Sequence, residues 1–293
     1  MSEPVPLLFD PAAREQAARQ GAESHFRWLA LSSDPEAVAL REALEGCFPL
    51  AGARRELLRK GLQHERWGQH MGALAHLLAL GLLVAQGWRV HAEPGFGRLS
   101  PDILATPVDG APAARQLLVE VRSITGAGSY PWEARRESGR TLAHDPEKEQ
   151  RVRDTVAKVL TRKAEIYEPL VAQLAIPYVI AIYEDKDSEI ARLVREVAFG
   201  RAAPGARDDE GSRDPAGGLF AGALEHVAAV LVFGRVDRPD GRLLLRGELV
   251  ENPRARHALA PGAFPLLRAY RLDAGRMPAR MRFSGPEPAP FAL

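Results

Sequence analysis

Apolar residues recur along this chain with two alternating periods, and the alternation predicts its elements. Between Gln63 and Gln86, Trp67, Met71, Leu74, Leu78 and Leu82 return at steps of three and four, the spacing of one buried stripe on a helix. Gly87 ends that helix and Trp88 opens a strand to Ala92. The stretch Ser100 to Thr125 reads as two strands joined by the turn Asp109-Gly110-Ala111-Pro112. Pro146 to Leu170 predicts an amphipathic helix whose apolar face is Val152, Val156, Val159, Leu160 and Ile166. Ile176 to Glu184 is nearly continuous in apolar residues, as in strands buried on both faces. Strand, helix and strand in that order imply a right-handed crossover, so the two strands should lie parallel in one sheet. A helix over Asp187–Phe199 follows, then a strand over Val227–Val236 with a hairpin partner over Arg242–Val250.

The flanks read differently. Residues 1–62 predict a helical N-terminal extension: Asp10 caps a helix begun by Pro11, Asp34-Pro35 begins another ending near Gly46, and Ala53–Lys60 makes a third. No chemical motif lies there, so a packing or protein-partner role is expected. Residues 63–252 form the α/β core, and residues 253–293 a basic, proline-containing C-terminal segment. Glu93–Leu99 is a glycine-containing turn without the Gly-Lys-Ser/Thr ending of a phosphate loop. Gly126–His144 is long for a connector, leaves the second hairpin strand, and is expected to contact substrate. Arg201–Gly218, rich in Gly, Pro, Asp and Arg, is expected to be a mobile loop.

Composition narrows the function classes. A chain of 293 residues with 46% hydrophobic content can bury a sizeable core. A net charge of +1 gives no global attraction to a polyanion, so nucleic-acid binding needs a local patch. The best candidate patch is Pro253–Phe283, with seven arginines against Asp273 alone (7 − 1 = +6); Arg254 and Arg256 are its expected backbone contacts. Only five of 39 basic residues are lysines: Lys60, Lys148, Lys158, Lys163 and Lys186. Cys47 is the one cysteine, which excludes an internal disulfide and a cysteine-based zinc cluster and fits a reducing, cytoplasmic compartment. No signal peptide is visible, and the longest apolar run, Leu77–Val84, is too short to span a bilayer, so no membrane partner is expected.

The chemistry gathers on the hairpin. Asp102 follows Pro101 at the start of the first strand, Glu120 lies in the apolar run of the second, and Arg122 comes two residues later. Side chains alternate along a strand, so Glu120 and Arg122 share a face. A fold about Pro112 would set Asp102 opposite Arg122 and diagonal to Glu120. Two carboxylates and a cation at one place suit a divalent-metal site with a charge-stabilising partner. On the preceding helix Glu65 is a further acid that could face the site. His64, His70 and His76 are six apart and do not make a zinc pair.

Helix, strand, acid-bearing hairpin, helix and buried strand, with Pro101-Asp102 and Glu120-Val121-Arg122, resemble the PD-(D/E)XK nuclease superfamily over Gln63–Val236. The resemblance implies a restriction-endonuclease-like mixed sheet flanked by helices, and a Mg²⁺- or Mn²⁺-dependent phosphodiesterase acting on DNA, in restriction or phage defence. It assigns Asp102, Glu120 and the Val121 carbonyl to the metal. Arg122 stands where the family has its lysine; a guanidinium can fork onto a phosphate but cannot act as a general base. Related nucleases bring the lysine from a neighbouring helix, and Lys163 or Lys158 would do so here. Two other readings compete: a nuclease-fold scaffold that binds nucleic acid or protein without hydrolysis, and a structural salt-bridge cluster with no metal. Double-strand cutting would favour a homodimer.

Overall fold

A computed structural model of the chain describes residues 7–108, 116–124, 146–184, 189–200, 212–213, 218–222, 224–236, 243–273, 279–284 and 291–292. The hairpin turn at 109–112, the loop 126–144 and most of the loop 201–218 lie outside the described residues. Five helices come first: α1 (Pro11–Arg19), α2 (His25–Leu31), α3 (Pro35–Cys47), α4 (Arg55–Leu62) and α5 (Trp67–Ala85), with a 3₁₀ segment over Phe48–Arg54. Strands β1 (Trp88–Ala92), β2 (Ile103–Pro107) and β3 (Leu117–Ser123) follow, then α6 (Pro146–Leu174), β4 (Tyr178–Glu184) and α7 (Glu189–Phe199). The chain continues through β5 (Ser212–Arg213), β6 (Ala229–Val236), β7 (Leu244–Glu251), β8 (Arg268–Asp273), β9 (Ala279–Ser284) and β10 (Phe291–Ala292).

The strands form one mixed sheet in the order β1-β2-β3-β4-β6-β7-β8-β9-β5, with β10 also on β7. The α6 crossover makes β3 and β4 parallel, as its apolar flanks predict, while β1, β2 and β3 pair antiparallel. Strand alternation sorts the core into two layers. Leu117, Val119 and Val121 of β3 face α5 and the N-terminal helices. Leu118 of β3, with Tyr178, Ile180 and Ile182 of β4, faces Val156, Leu160, Ala164 and Tyr167 of α6. The molecule is therefore an α/β fold with helices on both sides of a mixed sheet.

Three expectations change. The helix over 63–86 was read with one buried stripe, yet α5 buries nearly all of its length, including Ala73, Leu77, Leu80 and Leu83. The reason is that α3 and α4 cover the face the sheet leaves open. The helices within residues 7–62 share one core with the sheet. The same burial explains why α5, 19 residues at mean hydropathy 1.4, passes for a membrane span by composition while 72% of it lies inside the fold. At the other end, the segment read as a tail from 253 continues the sheet: β8 runs parallel to β7, and β9 returns antiparallel to β8. Of its arginines, Arg268 and Arg271 fall in β8 and Arg280 and Arg282 in β9.

The hairpin register also differs. Ile103 pairs with Val119 and Ala105 with Leu117, which puts all four apolar side chains in the α5-facing layer. Extended by one residue, this register sets Asp102 against Glu120 instead of Arg122. Burial of those apolar pairs, not the turn sequence, fixes the alignment.

Leu160 is fully buried in the layer that joins α6 to the sheet. Leu160→Ala is expected to cost about 2–5 kcal/mol, as cavity-forming core truncations do, read as a lower urea midpoint with an unchanged slope.

Candidate active site

Asp102 and Glu120 are both buried, and each is held by cations from other parts of the chain. Asp102 precedes β2. Its Oδ2 accepts the Val121 backbone N–H at 2.8 Å, which pins the carboxylate to β3 across the hairpin. Its Oδ1 accepts from Arg54 Nη1 at 3.0 Å. Arg54 ends the 3₁₀ segment and also pairs with Glu93, just after β1. Glu93 has a positive φ of 47° at the turn where its N–H meets the Asp102 carbonyl at 2.8 Å.

Glu120 is 1% exposed. Lys163 reaches down from α6 and places Nζ 2.7 Å from Glu120 Oε1. Arg122 pairs through Nη2 with the same Oε1. Glu120 Oε2 is buried and has no hydrogen-bond partner among the described residues. Burial first, and the Asp102 charge second, push the Glu120 carboxyl above its ordinary pKa; Arg122 and Lys163 pull the other way. Arg122 also donates from Nη1 to the Val121 carbonyl at 2.8 Å and lies 3.6 Å from Asp102 Oδ2. One guanidinium therefore reaches both carboxylates, which places them close together.

The sequence reading missed a second ring of residues. His76 on α5 lies 3.9 Å from Asp102 Oδ1 and 3.5 Å from Arg54 Nη1 through its Nδ1. Arg54 can only donate, so in this contact Nδ1 is the acceptor. Burial lowers the His76 pKa to about 4, against the pull of Asp102. Tyr167, one helical turn beyond Lys163, donates its hydroxyl to the Ser100 carbonyl at 3.0 Å. Its ring lies 5.8 Å from the Lys163 ammonium, and burial, followed by the Glu120 charge, raises its pKa. Tyr178 on β4 is buried nearby and its pKa is raised by the same two causes. The lysine–tyrosine spacing on α6 was visible in the sequence. Arg54 and His76 carried no local signal, because only the tertiary fold brings them to Asp102.

Other expected site residues lie elsewhere. Glu65 is exposed on the turn before α5 and lines a shallow groove with Gln16, Gln20, Lys60, Gln63 and His64. Trp67, the first residue of α5, stands nine positions before His76, ~14 Å along the helix axis. Lys158 is exposed on α6, ~140° around the helix from Lys163. Arg254 donates to the Ala221 carbonyl, and Arg256 pairs with Glu225 at 3.1 Å. Both follow β7, which lies three strands from β3 in the sheet, roughly 14 Å at ordinary strand spacing.

The donor set for a metal is all oxygen: Asp102, Glu120 and the Val121 carbonyl. That chemistry suits Mg²⁺ or Mn²⁺, and the orphaned Glu120 Oε2 is the atom most in need of a cation. Among the described residues no group of three or more His, Cys, Asp or Glu side chains gathers to hold a metal, so the candidate set has two carboxylates and one carbonyl. No protein-family model, curated protein or solved structure matches this chain. The class defined by fold and site is an α/β protein with a buried, cation-laced carboxylate pair at one end of a hairpin.

His76 sets a pH expectation. Its pKa falls from 6.5 unfolded to about 4 folded, so as pH drops the unfolded chain takes up the proton first. Stability is lost between about pH 6.5 and 4, by about 3 kcal/mol at ~1.4 kcal/mol per pH unit. Glu120 has the opposite sign: its raised pKa favours the folded state at low pH and loses that contribution as pH rises above the ordinary carboxylate range. In urea titrations, His76→Gln should therefore lose less stability than the wild type between pH 7 and 4, by about 3 kcal/mol.

Proposed function

We propose that this protein is a metal-dependent nuclease that hydrolyses phosphodiester bonds in DNA. The observation that carries the reading is the buried Glu120 carboxylate, whose Oε1 pairs with Lys163 and whose Oε2 has no hydrogen-bond partner among the described residues, linked to Asp102 by the Arg122 guanidinium. The element order α5-β1-β2-β3-α6-β4 supports the restriction-endonuclease-like fold implied by the resemblance, and Lys163 supports the expectation that α6 supplies the lysine. A role in restriction or phage defence rests on the resemblance alone. Cutting both strands would favour a homodimer.

Asp102, Glu120 and the Val121 carbonyl would hold a Mg²⁺ or Mn²⁺ ion. When bound, such an ion supplies Lewis-acid polarisation of the phosphate and lowers the pKa of water. The chain's own residues do the rest. Arg54 and the Val121 N–H fix the Asp102 carboxylate in one orientation. Lys163, a compact ammonium on a packed helix, supplies a point charge for the phosphate oxygens as negative charge grows on them. His76 is neutral above its depressed pKa and adds no competing charge beside Asp102. Tyr167 anchors α6 to Ser100, just before Asp102, and so keeps Lys163 in register with the hairpin.

One observation favours the second reading, a nuclease-fold scaffold without hydrolysis: Arg122 already engages Glu120, the Val121 carbonyl and the edge of Asp102. The two readings separate in one assay. Linear and plasmid DNA incubated with 5–10 mM Mg²⁺ or Mn²⁺, concentrations on the order of those that saturate weak oxygen sites, should be cut. Asp102→Ala and Glu120→Ala should each abolish the cutting, and Lys163→Ala should slow it roughly 10²–10³-fold. A scaffold would bind DNA equally well with or without metal and would not notice the carboxylate variants. Uncut DNA in every metal condition, with the protein folded, would end the nuclease reading.

A further inference from the structure

Arg122 is placed where a metal would be expected, and its setting differs from that of the other cations. From outside the hairpin, Lys163 holds Glu120, and Arg54 holds Asp102 together with Glu93. Arg122 instead reaches between the two acids: Nη1 is 2.8 Å from the Val121 carbonyl and 3.6 Å from Asp102 Oδ2, while Nη2 is on Glu120 Oε1. These are the three groups that make up the oxygen donor set. A flat, forked cation can touch several oxygens at once, which a lysine ammonium on so short a reach cannot. With Glu93, the local charges are three acids (Asp102, Glu120, Glu93) and three bases (Arg54, Arg122, Lys163), so the cluster is neutral with the guanidinium in place.

The geometry points to Arg122 as a tethered cation that occupies the metal-binding oxygens until a divalent ion displaces it. This rests on the metal-site reading above and adds to it a regulatory contact built into the strand. Three features make displacement feasible. The Arg122 side chain is 36% exposed, against 18% for Lys163 and 1% for Glu120, so the guanidinium can swing to water while Lys163 stays on Glu120. Glu120 Oε2 has no hydrogen-bond partner among the described residues and is the carboxylate oxygen left for an incoming ion. Asp102 keeps its Val121 N–H and Arg54 contacts throughout, so the site does not collapse when Arg122 moves. A guanidinium keeps its charge at all accessible pH, so at a fixed pH the contact responds to divalent-ion concentration and to salt. DNA phosphate is a second partner for the released fork, so substrate and metal would favour the same open state.

The test is Mn²⁺ binding by isothermal titration calorimetry to the full chain, with thermal unfolding as the check on folding. Wild type should bind weakly, and Arg122→Ala at least about tenfold more tightly, since one competing cation has been removed. Millimolar guanidinium added to Arg122→Ala should weaken Mn²⁺ binding again by filling the vacated place. Arg122→Lys serves if Arg122→Ala does not fold: it keeps the charge, removes the fork, and should also bind Mn²⁺ more tightly than wild type. Equal or weaker binding in the folded variant, with wild-type binding that Asp102→Ala abolishes, overturns the tethered cation and leaves the metal site standing. No Mn²⁺ binding in wild type, Arg122→Ala or Arg122→Lys overturns both.

Discussion

The structure depends on one buried negative charge. Glu120 lies in the middle of β3, almost completely removed from water, where an unpaired carboxylate would cost several kcal/mol. Its compensation comes from Lys163, a residue 43 positions later on a different element. That ion pair forms only if α6 docks on the sheet in one rotation and one register. The apolar face of Val156, Leu160 and Ala164 supplies the docking energy. The ion pair penalises any docking that misplaces Lys163. Apolar contact alone tolerates some sliding; a buried carboxylate does not.

The two acids are held in different ways, and the difference bears on function. Asp102 has a donor on each oxygen: Arg54 on Oδ1 and a backbone N–H on Oδ2. Glu120 concentrates its partners on Oε1 and leaves Oε2 bare among the described residues. A cluster that served only to join the hairpin to its surroundings would be expected to satisfy every buried oxygen, because each unsatisfied one weakens the fold. Asp102 lies near enough for its charge to raise the Glu120 pKa, so the two acids share one electrostatic environment. Local conflict between stability and polar satisfaction is what a working site leaves in an otherwise consistent fold.

The sheet and its helices were legible because apolar periodicity follows from burial, and burial is local in sequence: β1 begins and ends where its pattern does, and α6 buries Val152, Val156 and Leu160 of its predicted face, although Ile166 is exposed and Ala164, Tyr167 and Leu170 complete the inner side. The site was legible wherever chemistry lay on one strand or one helix, as with Glu120, Arg122 and Lys163. It was not legible where two distant segments meet. Nothing near Arg54 marks it as the partner of Asp102, and His76 looked like one of three evenly spaced histidines until α5 was seen buried against the hairpin. The register error has the same origin. Asp109-Gly110-Ala111-Pro112 names a turn but not its centre, and the pairing of Ile103 with Val119 is decided by what lies beneath the sheet. Arg254 and Arg256 show the converse: positive charges close in sequence can be taken up by separate local partners, here the Ala221 carbonyl and Glu225.

The chain's use of its two basic residue types follows from the same geometry. Lysine is rare here, five against 34 arginines (39 − 5), yet the buried Glu120 oxygen takes a lysine from α6. A helix residue pointing at one oxygen through a packed layer has room for a compact ammonium on a flexible stem, and a guanidinium there would leave buried N–H groups without acceptors. On the strand the demand is reversed. Position 122 faces two acids and a backbone carbonyl at once, and only a planar fork can address all three. Each cation matches the number of oxygens its position presents. By that measure, three oxygens around Arg122 are already arranged as a cation would require, and the protein fills the place with its own side chain.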